Sequence, residues 1–174
     1  KDVICNSNAL SGEGEMSTMK DELEKKATLL RLVGDLFNSV VEGLSQVDPE
    51  TRKKIMELCG ETCAREELYG PALDIAHRIA EEETGEERIL ERANREILWC
   101  GTWSRKGDTI QCICEDCGCP LVRNNVVKLT ATFCLCSRGW VKTIFEALLQ
   151  RPIKVDLEKS RGFGDDACKY VVYA

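Results

Sequence analysis

The chain has 174 residues, 43% of them hydrophobic and 31% charged, with a formal net charge of −6. That balance suits a folded domain rather than a disordered chain, and the acidic excess argues against a general nucleic-acid or anionic-membrane surface. No apolar run approaches the roughly 18–20 residues that cross a bilayer; the most apolar helical stretch, LLRLVGDLFNSVVEGL, is interrupted by Arg31, Asp35 and Glu42.

The first residues, KDVICNSNALSGEGE, are rich in Gly, Ser and Asn and read as a loose leader over 1–17. They show no charged-then-apolar signal pattern; the first residue is Lys rather than Met, so a start residue or a longer leader can precede it. Ser17 or Thr18 is expected to cap a first helix. Its apolar stripe, from Leu23 through Leu29, Leu30, Val33, Leu36 and Phe37 to Val40, Val41 and Leu44, recurs at helical spacing over about seven turns. Asp48-Pro49 is a cap followed by proline at the first helical position, opening a second helix. Pro71 opens a third, and Gly85 separates it from a fourth that runs to Trp99.

Beyond Trp99 the period changes. TIQCIC and KLTATFC alternate and carry β-branched residues, which predicts strands at about 108–114 and 127–135. GWVKTIFEALLQ places Trp140, Ile144, Phe145 and Leu148 on one helical face, over about 138–150, with Pro152 just past its end. Ile153, Val155 and Leu157 alternate with Lys154, Asp156 and Glu158 in a half-buried strand, and CKYVVYA is the last strand. The expected fold is α+β: a helical segment over 18–99 packed on a four-stranded antiparallel sheet within 100–174, in strand-strand-helix-strand-strand order, the whole forming one compact domain.

Cysteine is the unusual component. There are eleven, six of them in the 25 residues from Cys112 to Cys136. Two cysteines in one strand separated by a single residue point the same way, a geometry that seldom allows a disulfide. The usage therefore suggests reduced thiols in a cytoplasm. Cys114 and Cys117 form a C-x-x-C, the spacing that brings two thiolates to one zinc; Cys112 and Cys119 extend it. Cys134 and Cys136 would join them if the two predicted strands pair as a hairpin. Metal binding, redox or nucleophilic use, and plain packing of small apolar side chains all remain open from spacing alone. Cys59 and Cys63 stand one helical turn apart on one face, where they can share a ligand, and Gly60 between them permits close backbone approach.

His77, the single histidine, lies on a helix of core-type residues and reads as a packing or capping residue. Any Ser-His-Asp or Cys-His system would have to use it. No phosphate-binding glycine loop precedes a helix, so no nucleotide is expected.

The last forty residues carry Cys134, then RGW opening a helix, RP at 151–152, Glu158 and GDDACKYVV. In this they resemble the 4-vinyl reductase type of small-molecule-binding domain and the related 2-amino-thiazoline-4-carboxylate hydrolase-like proteins. Both close their last hairpin on a Gly-x-x-x-Cys-x-aromatic-x-aliphatic pattern, here Gly164, Cys168, Tyr170 and Val172. The resemblance covers about 108–174 and implies a fold shared with haem-based nitric-oxide sensors and a vesicle-tethering complex, with a small-molecule pocket between sheet and helices. It further implies a zinc held at the positions of Cys134, Glu158, Ser160 and Cys168. Serine is a poor zinc ligand, so Cys136 or Cys112 would substitute for Ser160. CICEDCGC and CGETC lie outside the general pattern and mark a thiol-rich branch.

The resulting expectation is a cytoplasmic small-molecule-binding protein with a cysteine-ligated metal, zinc, beside its pocket. The metal ligands are sought among Cys134, Cys168, Cys136, Cys114, Cys117 and Glu158; Trp140, Arg138, Cys59 and Cys63 are expected to meet the ligand. A hydrolase of a small heterocycle or amide, using metal-bound water or a Cys thiolate, is the enzymatic rival, and a structural zinc module is the third reading. Nucleic acid and membrane are not expected as partners; a homodimer is among the assemblies the sequence allows.

Overall fold

The computed structural model describes residues 12–66, 71–98 and 100–174, with side chains from residue 19 onward. The helices are α1 (Gly12–Leu44), α2 (Pro49–Arg65), α3 (Ala72–Glu82), α4 (Glu86–Glu96), α5 (Pro120–Arg123), α6 (Ala131–Cys134) and α7 (Cys136–Leu149). The strands are β1 (Ser104–Lys106), β2 (Thr109–Cys114), β3 (Lys154–Lys159) and β4 (Cys168–Tyr173), with a 3-10 turn at Arg161–Phe163. The fold is α+β. All neighbouring strands are antiparallel, in the spatial order β1-β2-β4-β3.

Local chemistry sets most boundaries. Asp48 Oδ1 accepts the Thr51 N–H at 3.0 Å ahead of Pro49, so α2 starts where the cap-proline pair predicts. The α1 helix departs from expectation: it is already helical at Gly12, so neither Ser17 nor Thr18 caps it. Ser and Thr carry only a small penalty inside a helix. The rest of the expected loose leader, residues 1–11, lies outside the described residues, as does Trp99.

The second predicted strand, 127–135, is corrected. The Thr130 hydroxyl accepts the Phe133 N–H at 3.1 Å and opens the single turn α6. Thr132 and Phe133 are buried consecutively, which a half-buried strand does not allow. The partner on that side of β2 is instead β1, joined to it by the turn Gly107-Asp108, with Gly107 at φ +60°. β1 is short and fully exposed, so it carried no apolar alternation to be read.

Two cores result. In the larger, Ile144, Phe145 and Leu148 of α7 pack between the sheet (Ile110, Val155, Val172) and the small faces of α3 and α4 (Ala76, Ile79, Ala93). The smaller joins Val41 of α1 to Met56 of α2, Val127 and Phe133. Only the last turns of α1 take part: Val41 is 3% exposed, whereas Leu29 is 60% exposed and Leu23, Leu30, Val33, Leu36 and Val40 are similarly open.

Candidate functional site

A cavity of about 370 Å³ opens where α2, α6 and α7 meet the ends of β2 and β4. Its size falls within the roughly 300–1,000 Å³ of small-molecule pockets. Nine of its lining residues are cysteines. The α2 helix contributes Cys59 and Cys63 on one face, as their one-turn spacing requires. The end of β2 and the loop after it contribute Cys114, Cys117 and Cys119. Cys134, Cys136 and Cys168 line it from α6, α7 and β4, and Cys100 completes the rim. Trp103, Trp140, Phe37, Phe133 and Tyr170 supply aromatic walls.

Glycines bring these walls together. A methyl group on Gly60 would collide with the Cys136 carbonyl, and one on Gly162 would collide with the Cys134 sulfur. Gly118 lies against Cys100, an added Cβ there standing 2.9 Å from the Cys100 Cβ. The Arg161 guanidinium donates to the Glu115 carbonyl at 2.8 Å and to the Asp166 carbonyl at 3.0 Å, tying the loop that carries Cys117 to the entry of β4. Cys114 and Cys168 are direct cross-strand partners.

The expectation of reduced thiols fails for one pair: Cys100 and Cys114 form a disulfide, with Cα atoms 5.2 Å apart. Their separation of 14 residues lets the chain fold back into bridging range, which neighbours within a strand seldom reach. Cys112 and Cys114 do point the same way and are both buried, their sulfurs 3.8 Å apart. The other eight described cysteines are free.

Burial raises the thiols of Cys59, Cys63, Cys112, Cys117, Cys134 and Cys136, favouring their neutral form. It pushes the Cys63 thiol up to about 11, with neighbouring Cys119 adding to the rise, and Cys112 to about 11. Cys136 is raised well above the ordinary range, chiefly by burial and then by Cys119 and Cys63. Cys134 is raised by burial against the opposing hydrogen bond from Ser160. Cys117 is also raised by burial; a charge on Cys168 would raise it further, while Arg161 works the other way. Neutral buried thiols are poor nucleophiles at pH 7. His77 is exposed on α3 and is not among the cavity residues.

Two of the expected site residues sit elsewhere. Arg138 does not line the cavity: it is buried behind it, where its guanidinium donates to the Val155 carbonyl at 2.7 and 3.1 Å and pairs with Glu57 and Asp156. Glu158 is exposed on β3 and pairs with Lys169 at 2.7 Å, away from the thiols. Ser160 is fully buried, but it caps the 3-10 turn by accepting the Gly162 N–H at 3.1 Å. Cys114, named as a metal ligand, is held in the disulfide. Trp140, Cys59, Cys63, Cys117, Cys134, Cys136 and Cys168 all reach the cavity. Sequence reasoning missed Cys100, Cys119 and Trp103 as wall residues. Cys100 and Trp103 bracket the CGTW segment at the helix-to-strand boundary, a position that could have drawn notice.

Zinc suits such donors chemically, since soft thiolates are its preferred protein ligands. Among the described residues, no group of three His, Cys, Asp or Glu is assembled to hold an ion. No helix among the described residues is long and apolar enough to cross a membrane.

A family of unknown function, DUF6144, has a model that matches residues 35–173, from the middle of α1 to the end of β4. No curated protein matches the chain. Because the match takes in the cavity and every element that builds it, the chain belongs to the DUF6144 family.

Proposed function

We propose that this protein binds a small, largely apolar molecule in the thiol-walled cavity and holds a thiophilic metal ion, zinc, on the same wall. The observation that carries the reading is the convergence of nine cysteines and five aromatic rings on one cavity. Inert packing would bury thiols singly among aliphatic side chains; here they face a shared space from five separate parts of the chain. Free thiols on the shared wall, among them Cys117, Cys134 and Cys168, are the candidates to take the ion. A reducing compartment such as the cytoplasm suits eight free thiols.

Binding is favoured over hydrolysis by the state of the groups present. The raised thiols of Cys59, Cys63, Cys117, Cys134 and Cys136 and a histidine outside the cavity weigh against a covalent mechanism through them. The C-terminal pattern ending in Gly164, Cys168, Tyr170 and Val172 supports kinship with 4-vinyl reductase-type binding domains, as a proposal of the same standing. The test is purification under reducing conditions without added metal or chelator, followed by elemental analysis and native mass spectrometry. About one zinc per chain, with or without a bound organic mass, is the expected result. A metal-free protein that also gains no zinc on titration refutes the metal half. Failure of any apolar probe to quench Trp140 and Trp103 fluorescence refutes the pocket half.

A further inference from the structure

We infer that the Cys100–Cys114 disulfide is a redox gate on a four-thiol metal site made of Cys100, Cys114, Cys117 and Cys168. The inference rests on the metal-binding reading above and names both its ligands and its control. Closed, the disulfide ties up two sulfurs, and among the described residues no group of three His, Cys, Asp or Glu is placed to hold a metal ion. Opened, it returns two thiols beside two others that the fold already holds close. Cys114 faces Cys168 directly across the β2–β4 ladder, where opposed Cβ atoms stand about 4.5–5.5 Å apart. Cys117 is three residues beyond Cys114, in the C-x-x-C spacing that reaches one ion.

The loop is fixed in place rather than left to find its partners. Arg161 ties Glu115 to Asp166, which precede Cys117 and Cys168 by two residues each. Gly118 is packed on Cys100, where a larger residue would push the loop away. All four cysteines face the same cavity. Cys112 is excluded from the set because it lies behind the wall and does not line the cavity, although its sulfur is 3.8 Å from that of Cys114.

The chemistry balances with a dithiol as reductant, whether a small molecule or a protein. It supplies two electrons and two protons; the Cys100–Cys114 S–S bond breaks, two thiols form, and the dithiol becomes its own disulfide. A divalent thiophilic ion then takes the sulfurs as thiolates and releases their protons to water. A disulfide-bearing oxidant, small molecule or protein, reverses the sequence: it accepts two electrons and takes two protons from water to become a dithiol, the Cys100–Cys114 bond re-forms, and the ion is released.

The test compares the full chain in two states: oxidised, and reduced by a phosphine that is then removed without air. Each is titrated with Co²⁺, whose thiolate charge-transfer absorption reports bound sulfur. Peptide mapping should identify Cys100–Cys114 as the oxidised pair; another pair overturns the gate. The reduced chain should bind about one Co²⁺, and the oxidised chain at least about tenfold more weakly. Cys117→Ser and Cys168→Ser should each weaken binding by the reduced chain at least about tenfold, while Ser39→Ala, exposed on α1 and outside the cavity, leaves it unchanged. Should Cys168→Ser fail to fold, Cys117→Ser, which lies in a loop, decides the ligand assignment. Equal binding in both redox states overturns the gate and leaves the metal reading standing. No binding in either state overturns both. Loss of binding in Cys63→Ser but not in Cys117→Ser moves the site to the α2 wall and refutes the assignment.

Discussion

Gly60 of α2 and Gly139 of α7 sit in each other's helix crossing: a Cβ on Gly60 would strike the Cys136 carbonyl of α7, and a Cβ on Gly139 would strike the Glu57 carbonyl of α2. The two backbones are therefore in direct contact, and the thiols beside them are drawn inward. Cys59 and Cys63 on one helix and Cys136 on the other reach a common cavity because no side chain intervenes at the crossing.

Gly60→Ala tests that relationship. An added methyl usually helps a helix by about 0.5–1 kcal/mol, but here it must displace backbone, so a net loss of about 1–3 kcal/mol or more is expected. Gly43→Ala is the control: nothing lies within 4 Å of its added methyl, and it should be neutral or slightly stabilising. Urea midpoints measure both. Equal effects at the two positions would mean that the crossing is looser than described.

Arg138→Gln separates structure from binding. The Arg138 guanidinium links α7 to the Val155 carbonyl on β3 and to the carboxylates of Glu57 and Asp156. Removing one partner of a buried ion pair costs about 3–5 kcal/mol; the two carboxylates here are partly exposed, so about 2–3 kcal/mol is expected. Trp140→Ala should show the opposite balance, weakening uptake of an apolar fluorescent probe more than it lowers the melting temperature. A probe that binds Trp140→Ala as it binds the unaltered chain removes Trp140 from the pocket's working surface.

Where a residue's neighbours are local, the sequence announced them. Asp48-Pro49, the apolar face of α7, and the alternation of Ile153, Val155 and Leu157 each depend on spacing alone, and each is found. The close approach at Gly60 was also legible from its place between Cys59 and Cys63. Thr130 shows where local reading stops: KLTATFC alternates like a strand, yet one hydroxyl cap and the packing of Phe133 against Phe37, ring centroids 6.0 Å apart, turn it into a helix start. Arg138 looked like a pocket residue beside Trp140, but its charge needed partners on β3 and α2 that spacing cannot reveal. The pairing of Cys100 with Cys114 likewise depends on how the chain enters β1, a matter of topology rather than motif.

The α1 helix should divide into an indifferent and a sensitive part. Its stripe reads as continuous in sequence, but Leu29 is open to solvent whereas Val41 is packed with Met56 and Phe133. Val41→Ala should cost about 1–3 kcal/mol, and Leu29→Ser should stay within about 0.5 kcal/mol. Matched denaturation curves at one dilute concentration check this. A large loss from Leu29→Ser would show that the exposed stripe is covered in solution.

Thiol titration gives the stability of the fold a definite alkaline limit. Burial, with help from Cys119, raises the Cys63 thiol from an ordinary 9.0 to about 11. The unfolded chain therefore loses this proton before the folded one does, and holds fewer protons between the two values. Stability that is fully present below pH 9 should fall as pH rises toward 11. Cys63→Ala removes one contributor, so its urea midpoint should decline less steeply over that interval than that of the unaltered chain. Alkylation supplies an independent measure: Cys63 in the folded protein should react slowly with iodoacetamide at pH 8 and accelerate as pH approaches 11, since the thiolate is the reacting form. Rapid modification at pH 8, mapped to Cys63 by peptide mass, would contradict a neutral buried thiol at this position and restore the case for a nucleophile on the α2 wall.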